Sequence, residues 1–205
     1  MRELPFEITG FLGEGVYGSV FQGIYKRKDV AIKFLREHRL PGSSFGDIRN
    51  ALLPGREVGF LEKLAGVQGV PECIHFFPRI DLSLEYFHER NIDYFTSGTN
   101  VQFVSPFLMP FLAAEREAKL LWHRVSDRHC LGDFSEEFVG EVETVIRNCY
   151  NKGVFAASDT SVLDVHGKPM LIDWAMASEV QNPGYRRYLE EFLKDMWAVW
   201  REDHA

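Results

Sequence analysis

Three glycines at positions 13, 15 and 18, followed by an alternating run and then an apolar run carrying Lys33, constrain this chain more than any other stretch. A Gly-x-Gly-x-x-Gly that opens a helix marks dinucleotide-binding folds. Here no helix opens. Ser19 to Tyr25 sets Val20 on one side and Phe21 on the other, Lys26-Arg27-Lys28-Asp29 makes a polar break, and Val30 to Leu35 resumes as strand. The glycines therefore lie between two strands, and the stretch reads as a clamp for nucleotide phosphates. Period-two geometry puts Val30, Ile32 and Phe34 on one strand face and Ala31 and Lys33 on the other, where both can face a ligand. A glycine-rich hairpin beside a lysine that snorkels to solvent is the competing reading.

Both halves of the stretch resemble the protein-kinase family. GEGVYGSV, residues 13–20, matches its Gly-rich loop through the trailing valine, and Val30-Ala31-Ile32-Lys33 matches its third-strand lysine motif residue for residue. The resemblance implies an α+β, two-lobed fold, with an antiparallel-sheet N-lobe over 1–112 and a truncated helical C-lobe over 113–205. It also implies ATP and Mg²⁺ as cofactors, with Gly13, Gly15, Gly18, Val20, Ala31 and Lys33 around the nucleotide. Farther on, Pro54-Gly55 precedes REVGFLEKLAG, where Val58, Leu61 and Leu64 fall at helical spacing and Glu57 lies on the flank nearest the nucleotide. Glu57, Leu61 and Leu64 match the kinase helix whose glutamate pairs with the strand lysine. Glu62 is its rival, and an exposed helix glutamate the alternative. A lysine facing phosphates is a floppy point charge until a carboxylate fixes it. Replacing Lys33 by methionine is expected to cut phosphoryl transfer by orders of magnitude and leave the fold intact.

Composition narrows the function classes. The 205 residues are 45% hydrophobic, ample for one large domain or two small lobes. A formal charge of −7 disfavours nucleic acid and anionic membrane as partners. Cys73, Cys130 and Cys149 are odd in number and widely spaced, which suggests buried thiols in a reducing compartment and no zinc cluster. No 18-residue apolar run and no signal-peptide pattern is found, so neither a membrane span nor a Sec substrate is expected.

Glu3 to Phe11 is expected as the first strand, and Arg36 to Arg49 as a polar linker whose SSFGD is a candidate recognition loop. Ile74–Phe77, Leu82–Phe87 and Val101–Leu112 supply further strands. Within the last of these, PFLMPFL (106–112) resembles the kinase inter-lobe hinge. With Met109 behind the adenine, the Pro110 carbonyl would accept from the adenine amino group and the Leu112 N–H would donate to the ring. Met109 reads equally as core filler. From Glu115 the pattern turns helical: AEREAKLLWHRV, then Asp133 to Tyr150, with Asp133 and Glu136 at capping-box spacing and an apolar stripe of Phe138, Val142, Val145, Ile146 and Cys149. His123, His129 and Cys130 form no convincing metal set.

Residues 151–178 resemble the kinase catalytic segment. GKPMLID ends a strand in Asp173, where the resemblance implies a magnesium ligand, with Trp174-Ala175 in place of Phe-Gly. The family's His-Arg-Asp and following asparagine are missing. Asp159 is the one carboxylate between Gly153 and the Val162-Leu163 strand, so it is the candidate for orienting the substrate hydroxyl. An ungapped alignment sets Ala156 there instead, which would make the chain a pseudokinase, and Asp159 reads also as a turn residue. Asp164 is a second candidate metal ligand or a turn residue, and Ser161 the nearest match to the asparagine. Tyr185 to Trp200 closes the chain as a docking helix, with no Ala-Pro-Glu and no long activation segment. This truncation resembles minimal type III effector kinases of bacterial pathogens, the HopBF type above all. That resemblance implies a virulence-associated serine/threonine kinase, acting as a monomer on a host protein such as a heat-shock chaperone. It also implies secretion by a non-Sec route into the host cytoplasm. A pseudokinase that holds a host protein is the alternative.

Overall fold

The computed structural model describes residues 4–14, 18–38, 55–78, 80–90, 92, 101–114, 116–119, 131–156, 160–174 and 177–204. It is an α+β fold of antiparallel sheets and helices in two units, Met1–Val58 with Cys73–Leu112 and Gly59–Glu72 with Ala113–Ala205.

In the first unit, β1 (Glu7–Glu14), β2 (Gly18–Tyr25), β3 (Lys28–His38), β4 (His75–Phe76), β5 (Asp81–Ser83) and β6 (Val101–Pro110) form one sheet, ordered β1-β2-β3-β6-β4 with β5 on β6. The first strand starts four residues later than expected and carries through Gly13 and Glu14, which pair with Val20 and Ser19. The break after β2 is only Lys26-Arg27. Both have positive φ (49° and 64°), the condition for a two-residue hairpin whose twist matches its strands. The third strand outruns Leu35 because it pairs with β6 as far as His38↔Val101. Of the expected 36–49 linker, the part beyond His38, SSFGD included, lies outside the described residues.

The strand expected over Leu82–Phe87 is corrected: only Asp81–Ser83 pairs, and α2 (Leu84–His88) follows as a short helix. Leu82 and Phe87 both enter the core that Phe6, Phe21, Val30, Ile32, Phe34 and Leu108 build. Five residues apart, they would point to opposite faces of a strand, and a helical turn brings them to the same side. Phe87 stacks on Phe21 at 4.9 Å and meets Phe34 edge-on.

The helix α1 (Arg56–Lys63) straddles the boundary between the units, with Val58, Phe60 and Leu61 buried. In the second unit the helix expected from Glu115 is corrected at its described part, since Arg116–Lys119 is strand β7. It pairs with β9 (Ser161–Val165), which pairs in turn with β10 (Lys168–Ile172). Ladder formation overrides the helix propensity of Arg, Glu, Ala and Lys there. The long helix α3 (Glu136–Asn151) is capped by Ser135, whose Oγ accepts from the Phe138 N–H at 3.2 Å, and Leu131–Asp133 is a 3₁₀ turn. Asp133 is therefore not the N-cap. The expected stripe is buried and joined by Val139. Arg147 ties α3 to α4 (Tyr185–Asp203) through a two-pronged contact with Glu190, and Trp200 Nε1 donates to the Phe134 carbonyl at 2.9 Å. A short ladder of β8 (Val154–Phe155) with β11 (Ser178–Glu179) completes the unit. Gly69, at φ 87°, accepts from the Leu171 N–H at 2.7 Å; a Cβ there would lie 2.5 Å from Val145, so no other residue fits.

Of the expected buried thiols, Cys149 is fully buried, Cys73 only half-buried, and Cys130 outside the described residues. Burial pushes the Cys149 thiol from the ordinary 9.0 up to about 12. In the unfolded chain it ionises near 9, so between those values the unfolded state has lost a proton that the fold retains. Stability is unaffected well below pH 9 and falls above it by up to about 1.4 kcal/mol per pH unit. Denaturation midpoints should decline more steeply from pH 8.5 to 10.5 than in Cys149→Ala; equal slopes would contradict this.

Candidate functional site

On the first unit's sheet, residues directly opposite one another share a face. Val20 pairs with Lys33 and Lys33 with Phe107; Gln22 pairs with Ala31 and Ala31 with Met109. Val20, Ala31, Lys33 and Met109 are thus brought to one face, opposite the aromatic core. Lys33 is 7% exposed and Glu57 5% exposed, and the ammonium lies 2.9 Å from Oε1 and 2.7 Å from Oε2 of that carboxylate. Glu62 is exposed.

Two irregularities frame this pair. Beside Lys33 the β3–β6 register slips, because β6 sets two residues, Ser105 and Pro106, against Phe34 alone between the partners of Lys33 and Leu35. Ser105 has φ 48°, and its N–H donates to the Ile80 carbonyl at 2.9 Å, out of the β3 ladder. Such bulges bend a strand and re-aim the side chains beside them. The first strand has its own slip between Phe11 and Gly13.

The glycines differ in what demands them. A Cβ at Gly18 would lie 2.6 Å from the Phe34 carbonyl, so close strand approach alone requires glycine there. At Gly13 it would meet nothing within 4 Å among the described residues. Gly15 lies outside the described residues. Met109 is buried, Pro110 ends β6 half-buried opposite Val30, and Leu112 follows half-buried. The hinge expectation and the core-filler reading of Met109 both fit this placement.

In the second unit, Asp173 stands one residue beyond β10, half-buried, with φ 68°. Aspartate tolerates this left-handed backbone better than most residues. Trp174 is fully buried and its Nε1 donates to the Leu171 carbonyl at 3.1 Å. Asp159 and Ala175 lie outside the described residues. Asp164 is a strand residue, 2% exposed, whose Oδ1 accepts from the Gly167 N–H at 2.8 Å, which fits its reading as a turn residue. It closes the His166-Gly167 turn, both of whose residues have positive φ. It pairs with Pro169, four residues before Asp173, which is about 13 Å of extended chain. One magnesium ion cannot join the two.

Asp173 follows the end of β10 that pairs with the start of β9, where Ser161, buried, pairs with Ile172 and the ladder ends. Thr160 is 0% exposed and its Oγ1 has no hydrogen-bond partner among the described residues. No group of three His, Cys, Asp or Glu suited to a metal exists among the described residues. A carboxylate is nonetheless a hard oxygen donor of the kind Mg²⁺ takes while keeping waters and phosphate oxygens.

No helix among the described residues is long and apolar enough to cross a membrane. No family model matches the sequence, and no curated protein matches it.

Proposed function

We propose that the chain is a reduced, two-lobed protein serine/threonine kinase that uses Mg·ATP. The observation that carries the reading is the buried Lys33–Glu57 pair on the sheet face that Lys33 shares with Val20, Ala31 and Met109. A buried ion pair is often no more stable than apolar residues of like volume, so its retention asks for a use beyond packing. A lysine fixed by a carboxylate and aimed at phosphate oxygens is such a use.

In this reading Lys33 neutralises charge on the phosphates, the backbone around Gly13, Gly15 and Gly18 covers them, and Val20 and Ala31 contact the adenine. Pro110 and Leu112 supply its acceptor and donor. Bound Mg²⁺ supplies charge stabilisation on the transferring group, with Asp173 as its protein ligand. Asp159 accepts the proton of the substrate hydroxyl as that oxygen bonds to the γ-phosphorus and ADP departs. The acceptor is a protein side chain. The HopBF-type resemblance makes a eukaryotic heat-shock chaperone the first substrate to test, met after delivery of the chain into a host cell.

Calorimetric titration with ATP, with and without Mg²⁺, tests the reading: magnesium-dependent binding is expected, and its absence would contradict it. Asp159→Ala is expected to lower turnover by about 10²-fold or more and leave Mg·ATP affinity nearly unchanged, because its interaction belongs to the transition state. Near-wild-type turnover in that variant removes Asp159 from the chemistry. The missing His-Arg-Asp favours one second reading, a pseudokinase, which would bind ATP or a host protein and transfer nothing.

A further inference from the structure

We infer that the tip of the β2–β3 hairpin is a docking site for an acidic segment of a partner polypeptide, with Lys26, Arg27 and Lys28 engaging its carboxylates. The inference is independent of phosphoryl transfer and holds for a kinase and a pseudokinase alike. Its first observation is the backbone. A two-residue hairpin of this kind needs positive φ at both central residues, which asparagine and glycine adopt at little cost and other side chains do not. Lys26 and Arg27 stand there, at 49° and 64°. Strain that an Asn-Gly pair would remove is instead retained under two cations, and strain of this sort clusters where a surface is used.

The second observation is the charge. Lys63, Arg90, Arg147, Lys168 and Arg187 each lie against a glutamate. Lys26, Arg27 and Lys28 are exposed, and among the described residues none of the three makes an ion pair. The neighbouring carboxylates, Asp29 and Glu7, both pair with Ile24, whereas Lys28 pairs with Tyr25 on the opposite face of the ladder. The Lys26 ammonium lies 5.0 Å from the centre of the Tyr25 ring, which His75 backs in a stack at 6.1 Å and Phe77 meets edge-on. Tyr25 thus holds Lys26 on the side that Lys28 shares. The chain as a whole carries −7, so an extended anionic surface such as a bilayer would meet that repulsion along with the tip. A short acidic segment meets only the charges within a Debye length, about 8 Å at physiological ionic strength. The charge distribution therefore selects a polypeptide.

Fluorescence anisotropy of labelled poly-L-glutamate with the full chain tests this. Wild type should bind, and less tightly as salt rises. Lys26→Asn with Arg27→Gly should weaken binding about tenfold or more and still melt at or above the wild-type temperature, because it installs the preferred turn pair. Lys28→Glu, which leaves the turn untouched, should weaken binding comparably. Lys194→Gln with Arg201→Gln, an equal change in net charge at exposed positions of α4, should stay within about twofold of wild type. Unchanged affinity in either hairpin variant, or an equal loss in the α4 variant, would overturn the inference. A hairpin double variant that melts below wild type would overturn it as well, by showing that the turn residues serve the fold. So would a wild type that ignores poly-L-glutamate, and binding to phosphatidylserine-containing vesicles alone would make the tip a membrane contact instead.

Discussion

Lys33→Met will unfold at markedly lower denaturant than wild type, by about 3–5 kcal/mol, and Lys33→Met with Glu57→Leu will recover most of that loss while staying inactive. The single change leaves the Glu57 carboxylate, 5% exposed, inside the protein without the ammonium that lies 2.7–2.9 Å from it. The double change removes both charges and leaves apolar groups of similar volume. The expectation of an intact fold, drawn from sequence, thus gives way to a stability penalty set by burial. Activity should separate from stability: both variants should lose about 10²–10³-fold or more in phosphoryl transfer, as removal of a preorganised charge donor typically does. A single variant as stable as the double would show that the pair is not held in a dry environment.

In the proposed kinase, Asp173→Asn should keep the fold and lose magnesium-dependent chemistry by about 10³-fold or more, because a bound metal would contribute several kcal/mol to the transition state. Asparagine is the right replacement, since it also accepts the left-handed backbone at φ 68°, which alanine accepts poorly. Its melting temperature should stay within a few degrees of wild type, and its binding of ATP should no longer respond to Mg²⁺. Turnover within tenfold of wild type would remove Asp173 from the site.

The first unit was the more legible in sequence, for physical reasons. From Phe11 to Leu35 the strand period, the glycines and the hairpin are local features, and the Glu57-to-Leu64 spacing is a property of one helix. Illegible features were those decided at long range. Arg116–Lys119 is built of helix formers and becomes a strand because β9, more than forty residues later, offers it a ladder. Leu84–His88 coils into a helix because the core needs Phe87 and Leu82 on one side. Asp164 was legible as a turn residue before His166-Gly167, and its oxygen does close that turn of two left-handed residues.

The measurement closest to the central claim is transfer of radiolabelled γ-phosphate from ATP, with Mg²⁺, to a purified eukaryotic heat-shock chaperone and to host lysate. The account predicts a labelled serine or threonine on a protein band with wild type and none with Asp173→Asn. Magnesium-dependent ATP binding with no label on any protein would contradict the enzyme and leave the pseudokinase.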